Sequence, residues 1–194
     1  MNLKVNEIFY SLQGEGGRQG EASIFIRLSG CNLKCSFCDT DFSEGKDMSV
    51  YEILAFIQSF PCRWIVWTGG EPGLQLNDAI VLFFLEKAYR QAIESNGCYP
   101  LSRWLDYMVV SPKGDTKYAQ SINPRVDEVR LPVEKGDVLP AIESLPTARF
   151  YFLSPIFTND SATTQANIRY CVEQVKLHPQ WRLSLQMHKW IGID

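Results

Sequence analysis

Long apolar runs are missing from this chain. The longest unbroken stretch of large apolar residues, Ile80 to Leu85, is six residues, whereas a helix that crosses a bilayer needs about 20. The first residues, Met1-Asn2-Leu3-Lys4-Val5-Asn6-Glu7, lack the apolar segment of a secretory signal. A soluble, cytoplasmic protein with no membrane partner is therefore expected. A basic surplus is missing too: the net charge is −3 and Lys and Arg are scattered, so no nucleic-acid partner is expected. Internal repeats, low-complexity tracts and linkers are absent, which points to one domain over residues 1–194. Histidine is scarce, and His178 and His188 are not spaced as partners in a metal site.

What is present suits a folded chain with one full-sized core: 194 residues, 45% of them hydrophobic and 21% charged. Five Trp, eight Tyr and eleven Phe supply large side chains for that core and for a stacking pocket. In a reducing compartment the six cysteines should be thiols, metal ligands or catalytic groups rather than disulfides. Their distribution is uneven. Cys31, Cys35 and Cys38 crowd into eight residues, while Cys62, Cys98 and Cys171 stand apart and read as buried or incidental thiols.

Ile24, Ile26 and Leu28 alternate with Phe25 and Arg27, which predicts a strand over 22–28 running straight into the cysteine loop. Further strands are expected at 63–68, 92–95, 107–110, 126–131, 149–152 and 182–187. Helices are expected at 49–60, capped by Ser49, from Asn77 or Asp78 to about Gln91, and at 116–122, 137–144 and 161–177. Alternating strands and helices describe a parallel α/β sheet. With about six parallel strands it should form a partial, abbreviated β/α barrel, not a closed eight-stranded one. Ligands of such folds gather at the C-terminal strand ends, and there the unusual polar residues fall: the cysteine loop, Thr68-Gly69-Gly70-Glu71-Pro72, Glu94-Ser95, Ser111-Pro112-Lys113, and Gln186 with His188.

Cys31, Cys35 and Cys38 have the spacing C-x3-C-x2-C. Three thiolates on one loop can hold three irons of a cubane cluster, and the lack of a nearby fourth Cys leaves one iron open to a ligand. A zinc site or three unligated thiols is the alternative, although zinc loops usually add a distant second pair of Cys or His.

With Phe37 in its aromatic slot, this loop resembles the signature of radical S-adenosylmethionine (SAM) enzymes. The resemblance implies a [4Fe–4S] cluster on Cys31, Cys35 and Cys38 whose open iron chelates SAM. One-electron reduction then releases a 5′-deoxyadenosyl radical that abstracts hydrogen from substrate. Gly69-Gly70-Glu71-Pro72 resembles the superfamily's second motif, which meets the SAM amino group. Two glycines allow close backbone approach, and a carboxylate suits an ammonium.

Phe9 to Gly16, Phe25-Ile26-Arg27-Leu28, Cys38-Asp39-Thr40, Ser111-Pro112-Lys113 and Ser184 to Lys189 are similar to the 7-carboxy-7-deazaguanine synthase family. That family converts 6-carboxy-5,6,7,8-tetrahydropterin to 7-carboxy-7-deazaguanine and ammonia, on the route to 7-deazapurines such as queuosine. It uses SAM catalytically, needs Mg2+ and forms a homodimer. Its members take electrons from a donor such as flavodoxin or ferredoxin. The resemblance implies that Leu12, Gln13, Glu15, Arg27, Gln186 and His188 face the pterin, with Arg27 on its carboxylate. It puts Phe37, Gly69, Gly70, Glu71, Glu94, Ser95, Ser111 and Lys113 against SAM, and Thr40 on Mg2+. Asp39 is left as a supporting residue, and a role for the carboxylate of Asp194 stays open. Gln186 and His188, at alternate positions of a strand, would face one side.

Two rival readings remain at this point. A radical SAM activating enzyme for a partner protein would share the cysteine loop but should lack Gln13-Gly14-Glu15-Gly16 and Gln186-Met187-His188-Lys189. A non-enzymatic Fe–S or zinc module would need neither the Gly-Gly-Glu-Pro loop nor SAM.

Overall fold

The computed structural model describes residues 1–38, 40, 41, 44–113 and 126–193. The helix expected at 116–122, Asp39 and Asp194 lie outside them.

Nine strands form one sheet: β1 (Asn2–Leu12), β2 (Ala22–Leu28), β3 (Lys46–Ser49), β4 (Trp64–Gly69), β5 (Arg90–Ser95), β6 (Tyr107–Val110), β7 (Val126–Val133), β8 (Ala148–Pro155) and β9 (Trp181–Leu183). Their order is β3-β1-β2-β4-β5-β6-β7-β8-β9. From β2 through β4 to β9 every pairing is parallel, which makes seven parallel strands where about six were expected. β1 runs antiparallel to both its neighbours. With β3 at one edge and β9 at the other the barrel stays open.

Because side chains alternate across a strand, each strand divides its residues between two environments. Ile24, Ile26, Leu28, Ile65, Trp67 and Ile93 pack outward against the helices α1 (Val50–Ile57) and α2 (Asp78–Glu86), on Val50, Ile53, Ile57, Ile80, Val81 and Phe84. Each such burial contributes about 1.5–3 kcal/mol. The intervening residues Phe25, Val66 and Ala92 turn the other way and meet Phe9, Trp64 and Tyr107. That second face is the inside of the half-barrel.

Local chemistry fixes the helix ends. Ser49 accepts from Glu52 N (3.2 Å) while Glu52 accepts from Ser49 N (2.7 Å), a reciprocal cap that starts α1. Asn77 Oδ1 accepts from Ile80 N (3.1 Å) at the start of α2. Helix α3 (Ser161–Leu177) lies where expected, and Asp160 caps it through Thr163 N (2.9 Å).

Several expectations are corrected. Helix α2 ends at Glu86, not near Gln91. Ala88 adopts the left-handed conformation (φ 61°), Tyr89 turns into the core beside Phe84, and β5 starts at Arg90. Pairing with β4 overrides a run that has good helix propensity. Residues 137–144 form only a short turn at Ile142–Ser144, since Pro140 interrupts the segment and lacks an N–H. The last strand stops at Leu183, and the chain turns into α4 (Met187–Ile191). Gln186 and His188 therefore do not share a strand face. No helix joins β5 to β6; Leu101 and Leu105 from that connection are buried in its place.

Candidate active site

The site begins where two loops touch. Gly70 N donates to Leu28 O (2.8 Å) and Glu71 N to Gly30 O (2.9 Å), so the loop after β4 is hydrogen-bonded along the segment entering the cysteine loop. A Cβ on Gly70 would overlap the Gly30 carbonyl, and Gly69 has φ +106°. Glycine is required at both positions. Glu71 is fully buried behind this junction. It accepts from Gly73 N (2.7 Å), Ser95 Oγ (2.8 Å) and Asn96 N (2.7 Å), which pins the loop to the end of β5. Burial pushes its carboxyl up, while those three donors and Lys113 pull it down; the net direction is up.

The cysteine loop hangs from the same frame. Asn32 Oδ1 accepts from Asn96 Nδ2 (2.8 Å), and Cys31 Sγ accepts from Leu33 N (3.4 Å). Burial raises the Cys31 thiol. Leu33 N–H opposes that, and Glu71, Cys35 and Cys38 add to it.

Cys31, Cys35, Phe37, Cys38 and Thr40 form one wall of a cavity of about 230 Å³. Thr68, Gly69, Gly70, Glu94, Ser95 and Asn96 supply the ends of β4 and β5, and Ser111 and Lys113 follow β6. Arg130, Ser154, Phe157, Gln186 and Glu15 complete the far side. Lys113 Nζ donates to Ser111 O (3.1 Å) and to Ser111 Oγ. Burial lowers its ammonium below the usual lysine range, although Cys35, Glu15 and Glu94 act in the opposite sense.

The floor carries buried charge. Arg130 Nη1 donates to Glu15 Oε2 (3.3 Å) and Glu94 Oε1 (3.1 Å), and Nη2 donates to Glu128 Oε1. Glu94 also accepts from Gln13 Nε2 (3.1 Å) and Thr68 Oγ1 (3.2 Å), and Glu15 from Ser154 Oγ (2.6 Å). Burial acts to raise the Glu94 carboxyl, but the charge of Arg130 and these donors outweigh it, and the net direction is down. Burial likewise opposes the Arg130 charge, and the three carboxylates more than restore it.

Comparison with known proteins settles what this arrangement belongs to. Residues 25–137 match the model of the Radical SAM superfamily. A 7-carboxy-7-deazaguanine synthase of Bacteroides thetaiotaomicron is 44% identical, with all of both chains covered. One of Caulobacter vibrioides is 36% identical, again over all of both chains. The crystal structure of QueE from Escherichia coli superposes with a TM-score of 0.79 at 27% identity, covering 97% of this chain and 95% of that one.

The chain belongs to the 7-carboxy-7-deazaguanine synthase family.

Membership of the 7-carboxy-7-deazaguanine synthase family implies the cluster and SAM, and the donor set fits them. Three thiols line one wall beside a glycine loop that leaves its backbone accessible. Among the described residues no three His, Cys, Asp or Glu side chains gather round a point that would hold a single metal ion. A cubane gives each thiolate its own iron, which three thiols spaced along one loop allow.

Of the residues expected at the site, Glu15, Gly69, Gly70, Glu94, Ser95, Ser111, Lys113, Gln186, Phe37, Thr40 and the three cysteines line the cavity. Leu12, Gln13, Arg27, Glu71 and His188, also expected at the site, are not part of that lining. Leu12 ends β1 opposite Ala22. Gln13 is buried and reaches Glu94. Arg27 Nη1 donates to Thr40 Oγ1 (3.4 Å), its Nε lies 3.3 Å from Glu7 Oε2 without an aligned hydrogen bond, and its guanidinium sits over Phe9. His188 packs against Gly14, and Met187 N donates to Gly14 O (2.9 Å).

Sequence reasoning missed Arg130, Ser154 and Phe157, which line the cavity, and Glu128 and Ser184, which support Arg130 and Gly16. Ser184 Oγ accepts from Gly16 N (2.9 Å). The available signal was period two. Counting inward from Phe25, Val66 and Ala92 selects Thr68 and Glu94, and the same parity in β7 and β8 selects Glu128, Arg130 and Ser154.

Proposed function

We propose that this chain is a radical SAM lyase that converts 6-carboxy-5,6,7,8-tetrahydropterin to 7-carboxy-7-deazaguanine with loss of ammonia, through one radical SAM core domain over residues 1–194. The observation that carries the reading is a single cavity with the three thiols and the glycine loop on one side and Glu15, Glu94 and Arg130 on the other. When bound and reduced, the cluster and SAM supply the radical chemistry that takes a hydrogen atom at C6 of the pterin.

The protein's own residues bind and orient. Lys113, anchored on Ser111, would meet the SAM carboxylate. Glu71 is fully buried and is not part of the cavity lining; accepting from Gly73 N, Ser95 Oγ and Asn96 N, it would set the loop against which the SAM ammonium lies. Ser95 and Ser111 offer hydroxyls to SAM, Glu94 takes the ribose, and Phe37 and the Gly69–Gly70 backbone flank the cofactor. Glu15, set by Ser154 and Arg130, accepts from the N–H edge of the pterin. Gln186 completes that pocket, and Gln13, on Glu94, and His188, against Gly14, would support it from behind. An unpaired polar edge on a buried heterocycle would be costly, so this set also selects the substrate.

The 3.4 Å contact between Arg27 and Thr40 supports a shared task. Arg27 would hold the pterin carboxylate while Thr40 holds Mg2+ against that carboxylate. Mg2+ takes few protein ligands and fills its shell with substrate oxygens and water. The same reading makes a flavodoxin or ferredoxin the electron donor and a homodimer in the cytoplasm the working form.

The test is anaerobic turnover of the reconstituted protein with SAM, dithionite, Mg2+ and the carboxypterin. Formation of 7-carboxy-7-deazaguanine, abolished by Cys35→Ala, is the expected result. Cleavage of SAM with the pterin untouched would contradict the substrate and favour a protein-activating enzyme.

A further inference from the structure

Arg130 lies in β7 with 5% of its surface exposed, and a single atom of it touches two carboxylates from distant parts of the chain. Nη1 is 3.3 Å from Glu15 Oε2 and 3.1 Å from Glu94 Oε1. Glu15 comes from the β1–β2 connection and Glu94 from β5. In the function proposed above, on which this inference rests, Glu15 serves the pterin and Glu94 serves SAM. The other end of the fork is fixed. Nη2 donates to Glu128, whose second oxygen accepts from Gly17 N (2.7 Å) and Tyr107 Oη (3.3 Å). A Cβ on Gly16 would overlap that carboxylate, so Glu128 has little room to follow a moving arginine. The Nε of Arg130 is buried without a hydrogen bond, so the two Nη atoms carry the group's polar contacts with the acidic residues.

We propose that Arg130 is a positioning residue that couples the pterin and SAM subsites through its shared contact with Glu15 and Glu94. With Nη2 held by Glu128, a ligand that orders one carboxylate orders the Nη1 contact that the other carboxylate shares. The second ligand then meets an ordered acceptor, so the coupling is positive. Lysine, a point charge without the planar fork, cannot bridge Glu128 and both of these carboxylates at once.

The test is SAM affinity of the cluster-loaded protein, measured anaerobically with and without the carboxypterin, for wild type and Arg130→Lys. The wild type should bind SAM at least about 5-fold more tightly with the pterin present. Arg130→Lys should show no such difference, whatever its affinity for SAM alone. Retention of the wild-type ratio by Arg130→Lys overturns the proposal. If that variant fails to fold, judged by cluster absorbance and thermal melting, Glu15→Gln, Glu94→Gln and their combination carry the test. A departure from independent effects of at least about 3-fold supports the shared arginine, and independence overturns it. A wild type that binds the pterin without coupling overturns this inference alone. A wild type that binds SAM but no pterin overturns the functional reading, and this inference with it.

Discussion

The α-carbon of Gly70 faces the carbonyl oxygen of Gly30, and no side chain fits between them. Both sides of the contact are backbone, fixed by the Gly70 N to Leu28 O and Glu71 N to Gly30 O hydrogen bonds. Gly70→Ala must therefore separate the β4 loop from the cysteine loop. Overpacking of this kind costs about 1–3 kcal/mol. The variant should melt at lower temperature and bind SAM more weakly than wild type, by thermal unfolding and equilibrium titration. Wild-type values in both would mean that the close approach has no functional consequence.

Glu94 gives the site a pH dependence with a definite sign. Its carboxyl is held below the ordinary carboxylate range in the folded protein. Its contribution is therefore complete above the unfolded carboxylate pKa of about 4.3 and is lost as pH falls through the lower folded value. Urea unfolding between about pH 6.5 and about pH 3.5 should show a shallower acid loss of stability for Glu94→Gln than for wild type. Equal slopes would contradict the ionised, Arg130-bound form.

Under the proposed reading, Thr40 would hold Mg2+ and take no part in holding the cluster. Thr40→Ala should leave the cluster absorbance intact and remove most of the stimulation of turnover by Mg2+, whereas Thr40→Ser should keep it, because one hydroxyl oxygen is the whole requirement. A Thr40→Ala enzyme that still responds fully to Mg2+ would move the metal elsewhere.

Ser49 is a control remote from the cavity. Ser49→Ala removes the reciprocal cap of α1 and should lower stability by about 1 kcal/mol without changing turnover. Unchanged stability in denaturant unfolding would show that the cap is dispensable.

Legibility in the sequence followed the regularity of each local pattern. Ile24-Phe25-Ile26 alternates cleanly, Ser49 signals a cap, and the cysteine spacing carries a family resemblance. β1, not foreseen, has Leu3 and Val5 on the core side, but its register against β2 shifts between Val5 and Glu7. The irregularity breaks the alternation that would have revealed an 11-residue strand. β7 was foreseen, yet its burial of Glu128 and Arg130 was not. A charged residue on a strand is ordinarily solvated; these two are buried because the inner face of an open barrel lines a polar cavity. The last segment was read as a strand through Met187, but pairing with β8 ends at Leu183. From there contacts to Gly14 and Gly16, distant in sequence, direct the chain.

The most direct measurement follows deuterium. The carboxypterin labelled at C6 is turned over anaerobically by the cluster-loaded protein, and the SAM pool is analysed by mass spectrometry. Hydrogen abstraction from that carbon by a catalytically used cofactor predicts deuterium in the 5′ position of recovered SAM, together with 7-carboxy-7-deazaguanine as product. Formation of that product with unlabelled SAM would contradict abstraction at C6, and no product at all would contradict the proposed reaction.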